Sequence, residues 1–351
     1  MRKQNIILPL FILLAAILFA LPSCKKDNNG NSNSPADKTA LNSLIDSVNN
    51  ILSTTAEGSK PGEYGVGAKE ALDSTLQLAM LVTASDGYTQ QQINNATSNL
   101  ERAVTTFGSH LIQEVSVANL VAFWKFNGNT IDSSGNGHDG ELKTGWTGPG
   151  DAPVDGNTLP KLVADRFGRA NMAYDFNNGA TVEVPYDAAL NPQSFTISCW
   201  MKRHGTNCNN YFFSLNRWNG YKFQLQCNNL LFLTFHADNG YHDVDDAPGV
   251  IPDETWTHAA VSYTNGEMKF YINGALVKTV PITGTPLTLS EPVNLAIGNE
   301  LPKDEYTINS SDDYTYYGGD FFIGSLDDIR FYNTALSDAE VLSIYTIESS
   351  L

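Results

Sequence analysis

Two stretches of the sequence place aromatic rings beside amide, carboxylate and imidazole groups. Residues 216–221 together with 236–243 form the first stretch, and residues 303–320 form the second. Aromatic rings stack on the apolar faces of sugars, while amides and carboxylates hydrogen-bond to sugar hydroxyls. The sequence therefore predicts a carbohydrate-binding surface, or alternatively solvated turns whose aromatic residues pack on a sheet. The candidate ligand-binding residues are Trp218, Tyr221, His236, Asp238, Tyr241, Asp243 and Tyr316.

The four cysteines suggest different chemistry. Cys24 lies where an apolar run ends and is the candidate for lipid attachment. Cys208 and Cys227 flank a strand-like stretch that could fold back as a hairpin, so these thiols could form a disulfide or stay reduced. Cys199 alternates with hydrophobic residues and is interpreted as a small buried hydrophobe. The spacing does not match a zinc site.

The first 23 residues are typical of an export signal. A short basic region precedes a nearly unbroken apolar run from residue 6 to residue 21. The Leu-Pro-Ser-Cys sequence that ends at Cys24 resembles the lipobox of bacterial lipoproteins. This resemblance implies cleavage before Cys24 and acylation of its thiol; the alternative is an uncleaved anchor helix.

Residues 24–36 predict a flexible tether, because they contain too little apolar surface to form a core. Lysines followed by an acidic residue directly after the cysteine resemble the surface-export signal of Bacteroidetes lipoproteins. We therefore expect a lipid anchor in the outer membrane, with the cell surface favoured over a periplasm-facing position.

The charge and composition of the chain restrict its partners. The formal net charge of -17 and the pI near 4.6 argue against binding to nucleic acid or to an anionic membrane face. Membrane contact is therefore expected through the lipid anchor only. An aromatic content of 11% together with 28 glycines favours an all-β extracellular domain with many turns.

Residues 37–113 have helical periodicity and predict a three-helix bundle with short connections. The third helix has the clearest start, because Thr89 and Gln92 have the spacing of a capping box. The Glu-Gly…Pro-Gly-Glu-Tyr…Gly-Ala-Lys-Glu-Ala-Leu segment between helices one and two resembles FIVAR-type modules of bacterial cell-surface proteins. That resemblance implies a spacer or a sugar-binding or matrix-binding appendage; the spacer is preferred because no polar cluster indicates a site.

Residues 116–351 change to short alternating runs separated by turn residues, which predict a sandwich or jelly roll. Asn273-Gly274 between two such runs is typical of a hairpin. The predicted fold class is mainly β, a two-sheet antiparallel jelly-roll sandwich with an N-terminal three-helix bundle. The acidic run at residues 242–246, followed by Ala-Pro-Gly, is interpreted as a loop.

Four segments in order resemble the LamG-like jelly roll of the concanavalin A-like lectin and glucanase superfamily. They are residues 121–128, residues 195–200, residues 256–274 and residues 322–337, the last reading Phe-Ile-Gly-Ser-Leu-Asp-Asp-Ile-Arg-Phe-Tyr at its start. The resemblance implies a sandwich whose first and last strands lie side by side.

The same resemblance implies a structural calcium ion between these two strands, held by Asp327 and Asn127. Calcium prefers six to eight hard oxygen ligands, and carbonyl groups of residues 132–139 could add to the set. Asn127 stands where an acidic residue would bring more charge. The alternative is that Asp327 hydrogen-bonds turn amides.

Glucanases of this superfamily carry Glu-x-Asp-x-x-Glu on one strand, which places the carboxylates at the separation of a retaining mechanism. The sequence contains no such strand, no nucleophile elbow, no zinc-binding His-Glu-x-x-His and no phosphate loop. His258 falls in a strand of the family pattern and is interpreted as structural. The sequence thus predicts a protein without catalytic activity.

Together these features predict a cell-surface lipoprotein that binds a polysaccharide or a glycoprotein glycan through a LamG-like domain on a helical spacer. A protein-binding or adhesion module of the same fold is the alternative, and a glycan-processing enzyme is the third hypothesis. The sequence does not indicate an oligomeric state.

Overall fold

The computed structural model describes residues 35–113, 115, 117–205, 208–245, 251–319 and 321–350. The export signal, Cys24 and nearly all of the predicted tether lie outside the described residues. Within these ranges, no helix combines the length and the apolar character needed to cross a membrane.

Three helices that share one apolar cluster form the N-terminal part of the described chain. They are α1 (Thr39–Thr54), α2 (Ala68–Thr83) and α3 (Gln90–Ser109). The predicted capping box at the start of α3 is present, since the Thr89 side chain accepts a hydrogen bond from the Gln92 amide and the Gln92 side chain accepts one from the Thr89 amide. The predicted helical segment is confirmed.

The rest of the described chain is mainly β, as predicted. The strands are β1 (Leu120–Trp124), β2 (Glu141–Lys143), β3 (Trp146–Thr147), β4 (Val154–Asp155), β5 (Lys161–Val163), β6 (Ala173–Phe176), β7 (Thr181–Val184), β8 (Phe195–Arg203), β9 (Asn210–Leu215), β10 (Tyr221–Leu225), β11 (Leu231–Ala237), β12 (Gly240–Asp245), β13 (Thr257–Thr264), β14 (Gly266–Ile272), β15 (Ala275–Ile282), β16 (Leu295–Ile297) and β17 (Gly324–Tyr332).

The strands form two antiparallel sheets that enclose one core. The eight-stranded sheet has the order β15-β14-β13-β8-β17-β6-β5, with β1 beside β17, and the seven-stranded sheet has the order β12-β11-β10-β9-β16-β7-β2. The pair β3 and β4 stands apart. β1 and β17 pair with Trp124 opposite Ile329, which confirms that the first and last strands lie side by side.

Aromatic residues dominate the core between the two sheets. Phe195, Phe213, Tyr221 and Phe331 pack on one another with ring centroids 5.3 to 6.4 Å apart. Because side chains alternate between the faces of a strand, the residues between these positions point outward and form the outer faces of the sandwich.

The acidic run after Gly240 is a strand and not the predicted loop. Residues 240–245 form β12, which pairs with β11 so that Asp243 lies opposite Thr234. Pairing to an existing sheet edge satisfies the backbone of a segment whose own strand propensity is low. The interpretation of this run as a loop was therefore wrong for residues 242–245, while residue 246 lies outside the described residues.

A fourth helix, α4 (Asp338–Glu348), follows β17 and was missed in the sequence analysis. Its start carries a capping box in which Ser337 accepts a hydrogen bond from the Glu340 amide. At its other end the buried Glu348 carboxylate accepts hydrogen bonds from Trp200 Nε1 at 2.9 Å and from Arg330 Nε at 2.6 Å. These bonds fasten the end of α4 to the eight-stranded sheet.

Cys208 and Cys227 form a disulfide, with their Cα atoms 4.5 Å apart. The bridge ties the turn before β9 to the turn after β10. Cys199 is free and buried, and burial raises the pKa of its thiol. It therefore stays protonated and packs as a hydrophobic side chain.

Candidate functional site

Three connections meet at one end of the seven-stranded sheet. Residues 216–220 join β9 to β10, and residues 238–239 join β11 to β12. Because β10 and β11 pair antiparallel with Tyr221 opposite Phe235, these two turns are neighbours. The third connection leaves β16 and is closed at its base by a bridge between Asn299 and Phe321.

Arg217 fastens the third connection to the β9–β10 turn. Its side chain is 1% exposed, its guanidinium pairs with the equally buried Glu300, and it donates hydrogen bonds to the carbonyls of Asp313 and Thr315 at 3.0 Å. Burial alone would lower the pKa of Arg217, but the charge of Glu300 raises it above its ordinary value. Arg217 therefore stays charged and cross-links two segments distant in sequence.

Two aromatic rings lie against this guanidinium. The Arg217 Cζ atom is 4.4 Å from the ring centroid of Trp218 and 5.2 Å from that of Tyr317. The two rings lie 6.1 Å apart with an interplanar angle of 45°. Tyr317 is 52% exposed and Trp218 is half-buried, so cation–π contacts hold the rings in place while they remain accessible to solvent. We call Trp218 and Tyr317 the platform.

A second aromatic pair lies beside the platform. The rings of His236 and Tyr241 stack with centroids 3.9 Å apart and an interplanar angle of 19°, and Tyr241 is 55% exposed. The Tyr241 hydroxyl donates a hydrogen bond of 3.4 Å to Oδ1 of Asn219, the residue directly after Trp218. We call the four rings of Tyr317, Trp218, His236 and Tyr241, in their order across the sheet, the aromatic row.

Polar side chains extend from the row across the outer face of the seven-stranded sheet. Lys222, Thr234 and Asp243 are register neighbours on β10, β11 and β12. The Lys222 ammonium lies 5.4 Å from the ring of Trp218, and the Thr234 hydroxyl donates to Asp243 at 2.7 Å. Lys222 and Thr234 are buried and Asp243 is exposed, so this face combines apolar rings with an exposed carboxylate that can accept hydrogen bonds from sugar hydroxyls.

Two of the predicted ligand-binding residues are buried and cannot contact a ligand at the surface. Tyr221 is 2% exposed, packs in the aromatic core and donates its hydroxyl to the carbonyl of Leu190 at 2.8 Å. Tyr316 is also buried and donates its hydroxyl to the carbonyl of Gly148 at 3.2 Å. Their prediction as binding residues was wrong, because both rings point into the protein.

The other five predicted residues lie at or near the surface. Trp218, His236 and Tyr241 belong to the aromatic row. Asp243 is exposed on β12, and Asp238 is exposed in the neighbouring turn, where its carboxylate accepts a hydrogen bond from the Thr285 amide at 2.9 Å. The structure brings these five residues together at one end of the seven-stranded sheet.

Sequence reasoning missed the residues that hold the row together. Arg217 and Tyr317 lie within the two predicted stretches but were not selected as site residues. Glu300 lies before the second stretch, and no sequence pattern links it to a residue 83 positions away. Only the folded chain shows that these three side chains form one unit.

The surroundings of Asp327 do not fit the predicted calcium site. Its carboxylate accepts a hydrogen bond from Arg166 Nη1 at 2.6 Å and another from the Asp328 amide at 2.9 Å. A guanidinium thus occupies the place where a cation would have to bind. Asn127 is exposed in the loop after β1. Calcium binding by this protein stays a prediction.

The loop after β1 is organised by hydrogen bonds to one carboxylate. Asp132 accepts bonds from the backbone amides of Phe123, Ser134 and His138 at 2.8 to 3.1 Å. Burial raises the pKa of Asp132, but these bonds outweigh burial and hold it below its ordinary value. Among the described residues, no group of three or more His, Cys, Asp or Glu side chains could hold a metal ion.

Comparison with known families assigns the β domain. Residues 176–342 match the Laminin_G_3 family of the concanavalin A-like lectin/glucanases superfamily. These residues form a domain of that superfamily, and three N-terminal helices precede it. The fold expected from the resemblance is therefore confirmed.

Two curated relatives match short stretches of the chain. A gellan lyase from Bacillus sp is 36% identical over 78 residues, which is 22% of this chain, and a surface-layer 125 kDa protein from Lysinibacillus sphaericus is 29% identical over 92 residues, which is 26%. The chain spans only 3% and 8% of the length of these relatives.

Solved structures with a similar fold resemble this chain only weakly. Domain 4 of AbnA, a GH43 extracellular arabinanase from Geobacillus stearothermophilus, solved in complex with arabinotriose, is 22% identical with a TM-score of 0.46, covering 65% of this chain and 98% of that one. The receptor binding domain of botulinum neurotoxin type G is 15% identical with a TM-score of 0.43, covering 66% and 52%. This similarity is too low to indicate a ligand for the chain.

Proposed function

We propose that the protein binds carbohydrate without catalysis, through the aromatic row at the end of its seven-stranded sheet. The observation that carries this proposal is the platform, in which a buried ion pair holds Trp218 and Tyr317 in place while both rings remain accessible. Ordering these rings before binding reduces the entropy lost when a sugar stacks on them. The exposed carboxylates of Asp238 and Asp243 can accept hydrogen bonds from its hydroxyls.

Binding without turnover is supported by the surroundings of the buried histidine. His258 lies in the eight-stranded sheet, fully buried, with Nε2 2.8 Å from the Ser198 hydroxyl. Burial lowers the pKa of His258 to about 3, so the ring is neutral. A substrate cannot reach this pair from solvent.

The site can be tested with the full chain in a detergent that has no sugar headgroup. Binding to a panel of immobilised glycans is measured for the unchanged chain and for Trp218→Ala. Loss of a central aromatic contact costs about 2 kcal/mol or more, so affinity should fall by about thirtyfold or more.

Phe167→Ala is the matched control, because Phe167 is also a partly exposed aromatic residue and contacts Arg166 and Arg169 beside the eight-stranded sheet. It should bind glycans as the unchanged chain does. If Trp218→Ala binds glycans as well as the unchanged chain, the platform is not part of the binding site. Capture of a protein partner without any glycan signal would favour the adhesion function instead.

We further propose that acyl chains on Cys24 anchor the protein in the outer membrane, facing the cell surface. The lipobox-like sequence and the lysines after the cysteine support this proposal. One acyl chain binds a membrane only marginally, whereas two or three hold it stably. Cys24→Ser should abolish incorporation of labelled fatty acid, and undiminished labelling would contradict the anchor.

A further inference from the structure

The aromatic row consists of two ring pairs linked by a hydrogen bond. The platform rings lie 6.1 Å apart, and Asn219, next to Trp218 in the chain, accepts the hydrogen bond from the Tyr241 hydroxyl. Tyr241 in turn stacks on His236. The row therefore offers stacking surfaces on both sides of the β9–β10 turn, more than a single sugar ring can cover.

The two ends of the row are open to solvent. Tyr317 is 52% exposed at one end, and Tyr241, on the edge strand β12, is 55% exposed at the other. A site that recognises the end of a chain has to enclose the terminal sugar, whereas an open row lets a chain continue in both directions. The exposure of these two rings therefore favours contact with sugars inside a chain.

The charges beside the row favour an uncharged ligand. The cations that contact its rings are Arg217 and Lys222, which are 1% and 7% exposed. The carboxylates of Asp238, Asp243 and Asp313 are exposed beside them. With a net charge of -17 on the whole chain, this surface repels polyanions.

We infer that the ligand is a neutral polysaccharide, bound along an internal run of its sugars by the whole aromatic row. This inference rests on the proposed carbohydrate-binding function and specifies its substrate class. Trp218 and Tyr317 hold one part of the chain, and Tyr241 with His236 holds a second part further along it.

The charge preference is tested first, with the full chain in the same detergent. Arabinan, xylan, glucomannan and mixed-linkage β-glucan serve as neutral probes, and alginate, polygalacturonate and gellan serve as acidic probes. At least one neutral polymer should be retained and the acidic polymers should not. Preferential retention of an acidic polymer would overturn the inference while leaving the proposed function standing.

The length dependence is tested next, with the monosaccharide, a short oligomer and a long oligomer of the polymer that binds. Affinity should rise with length. Tyr241→Ala should weaken binding of the long oligomer by roughly two- to twelvefold, since one ring contact contributes about 0.5–1.5 kcal/mol. Tyr241→Ala should weaken binding of the short oligomer less, whereas Trp218→Ala should weaken binding of the short and the long oligomer.

Tyr241→Phe is the matched control, because it keeps the ring and removes only the hydroxyl that faces Asn219. It should bind the long oligomer far better than Tyr241→Ala. If the monosaccharide binds with the same affinity as the polymer, the inference is overturned and the proposed function stands. Failure to bind any glycan would contradict the proposed function itself, and the inference with it.

Discussion

Asp327 and Asp328 share one buried guanidinium. Arg166 contacts the Asp327 carboxylate at 2.6 Å and that of Asp328 at 2.8 Å. Burial and the negative charge of Asp328 raise the pKa of Asp327 from 3.8 to about 8. The folded chain therefore binds more protons than the unfolded chain between these values, so this group's contribution to stability is lost as the pH rises through that window.

Asp327→Asn is expected to remove this contribution, because the amide keeps the shape of the side chain without titrating. The free energy of unfolding should fall with rising pH more steeply in the unchanged chain than in the variant. His258 acts oppositely, because its lowered pKa stabilises the fold above 6.5 and that contribution is lost towards about 3. Because His258 is present in the unchanged chain and in the variant, its contribution cancels when the two pH curves are compared. Parallel pH curves would contradict this account.

Single residues also show what the sequence could predict at this scale. Tyr221 and Tyr241 both stand beside glycine in turn-like stretches, yet Tyr221 points into the core and Tyr241 lies on the surface. The alternation of Tyr221, Phe223 and Leu225 with Lys222 and Gln224 carried this information. For Tyr316 and Tyr317 no alternation existed, because both lie in an irregular connection whose direction depends on Arg217.

At the scale of elements, the Arg217–Glu300 ion pair joins the β9–β10 turn to the connection after β16. Arg217→Met keeps an apolar stem but leaves Glu300 as a buried charge without its guanidinium. Removing one partner of a buried pair costs about 3–5 kcal/mol, so the free energy of unfolding should fall by that amount and glycan binding should weaken. Both are measured on the same preparations.

The double variant Arg217→Met with Glu300→Gln provides the control. Because Gln carries no charge, it should recover part of the lost stability without restoring the contact that holds Trp218 and Tyr317 in place. If the single variant is as stable as the unchanged chain, the ion pair does not fasten the two segments.

Elements with a regular pattern were predictable, and those that depend on partners were not. The capping box at Thr89 and the alternating strands β8 and β13 follow from local sequence. β12 is a strand because β11 offers an edge to pair with. α4 had a signal in the spacing of Ser337 and Glu340, but its position depends on the buried Glu348, which lies far in sequence from Trp200.

At the scale of the whole molecule, the helical segment and the proposed binding surface lie in separate parts of the fold. A helical segment with its own apolar cluster precedes a sandwich whose first and last strands pair. The amide of Gln113, which follows α3, donates to the Ser343 hydroxyl on α4 at 2.8 Å, which connects the helical segment to the C-terminal helix. The aromatic row lies at one end of the seven-stranded sheet, where loops can vary without disturbing the core.

The central claim is that sugar stacks on the platform, and the five tryptophans allow a direct test. The full chain is labelled with fluorotryptophan, and its fluorine NMR spectrum is recorded while the binding polysaccharide is titrated in. The Trp218 signal, assigned with Trp218→Phe, should show the largest shift, whereas the buried Trp124 and Trp200 should keep theirs. Binding that leaves the Trp218 signal unchanged would contradict the account.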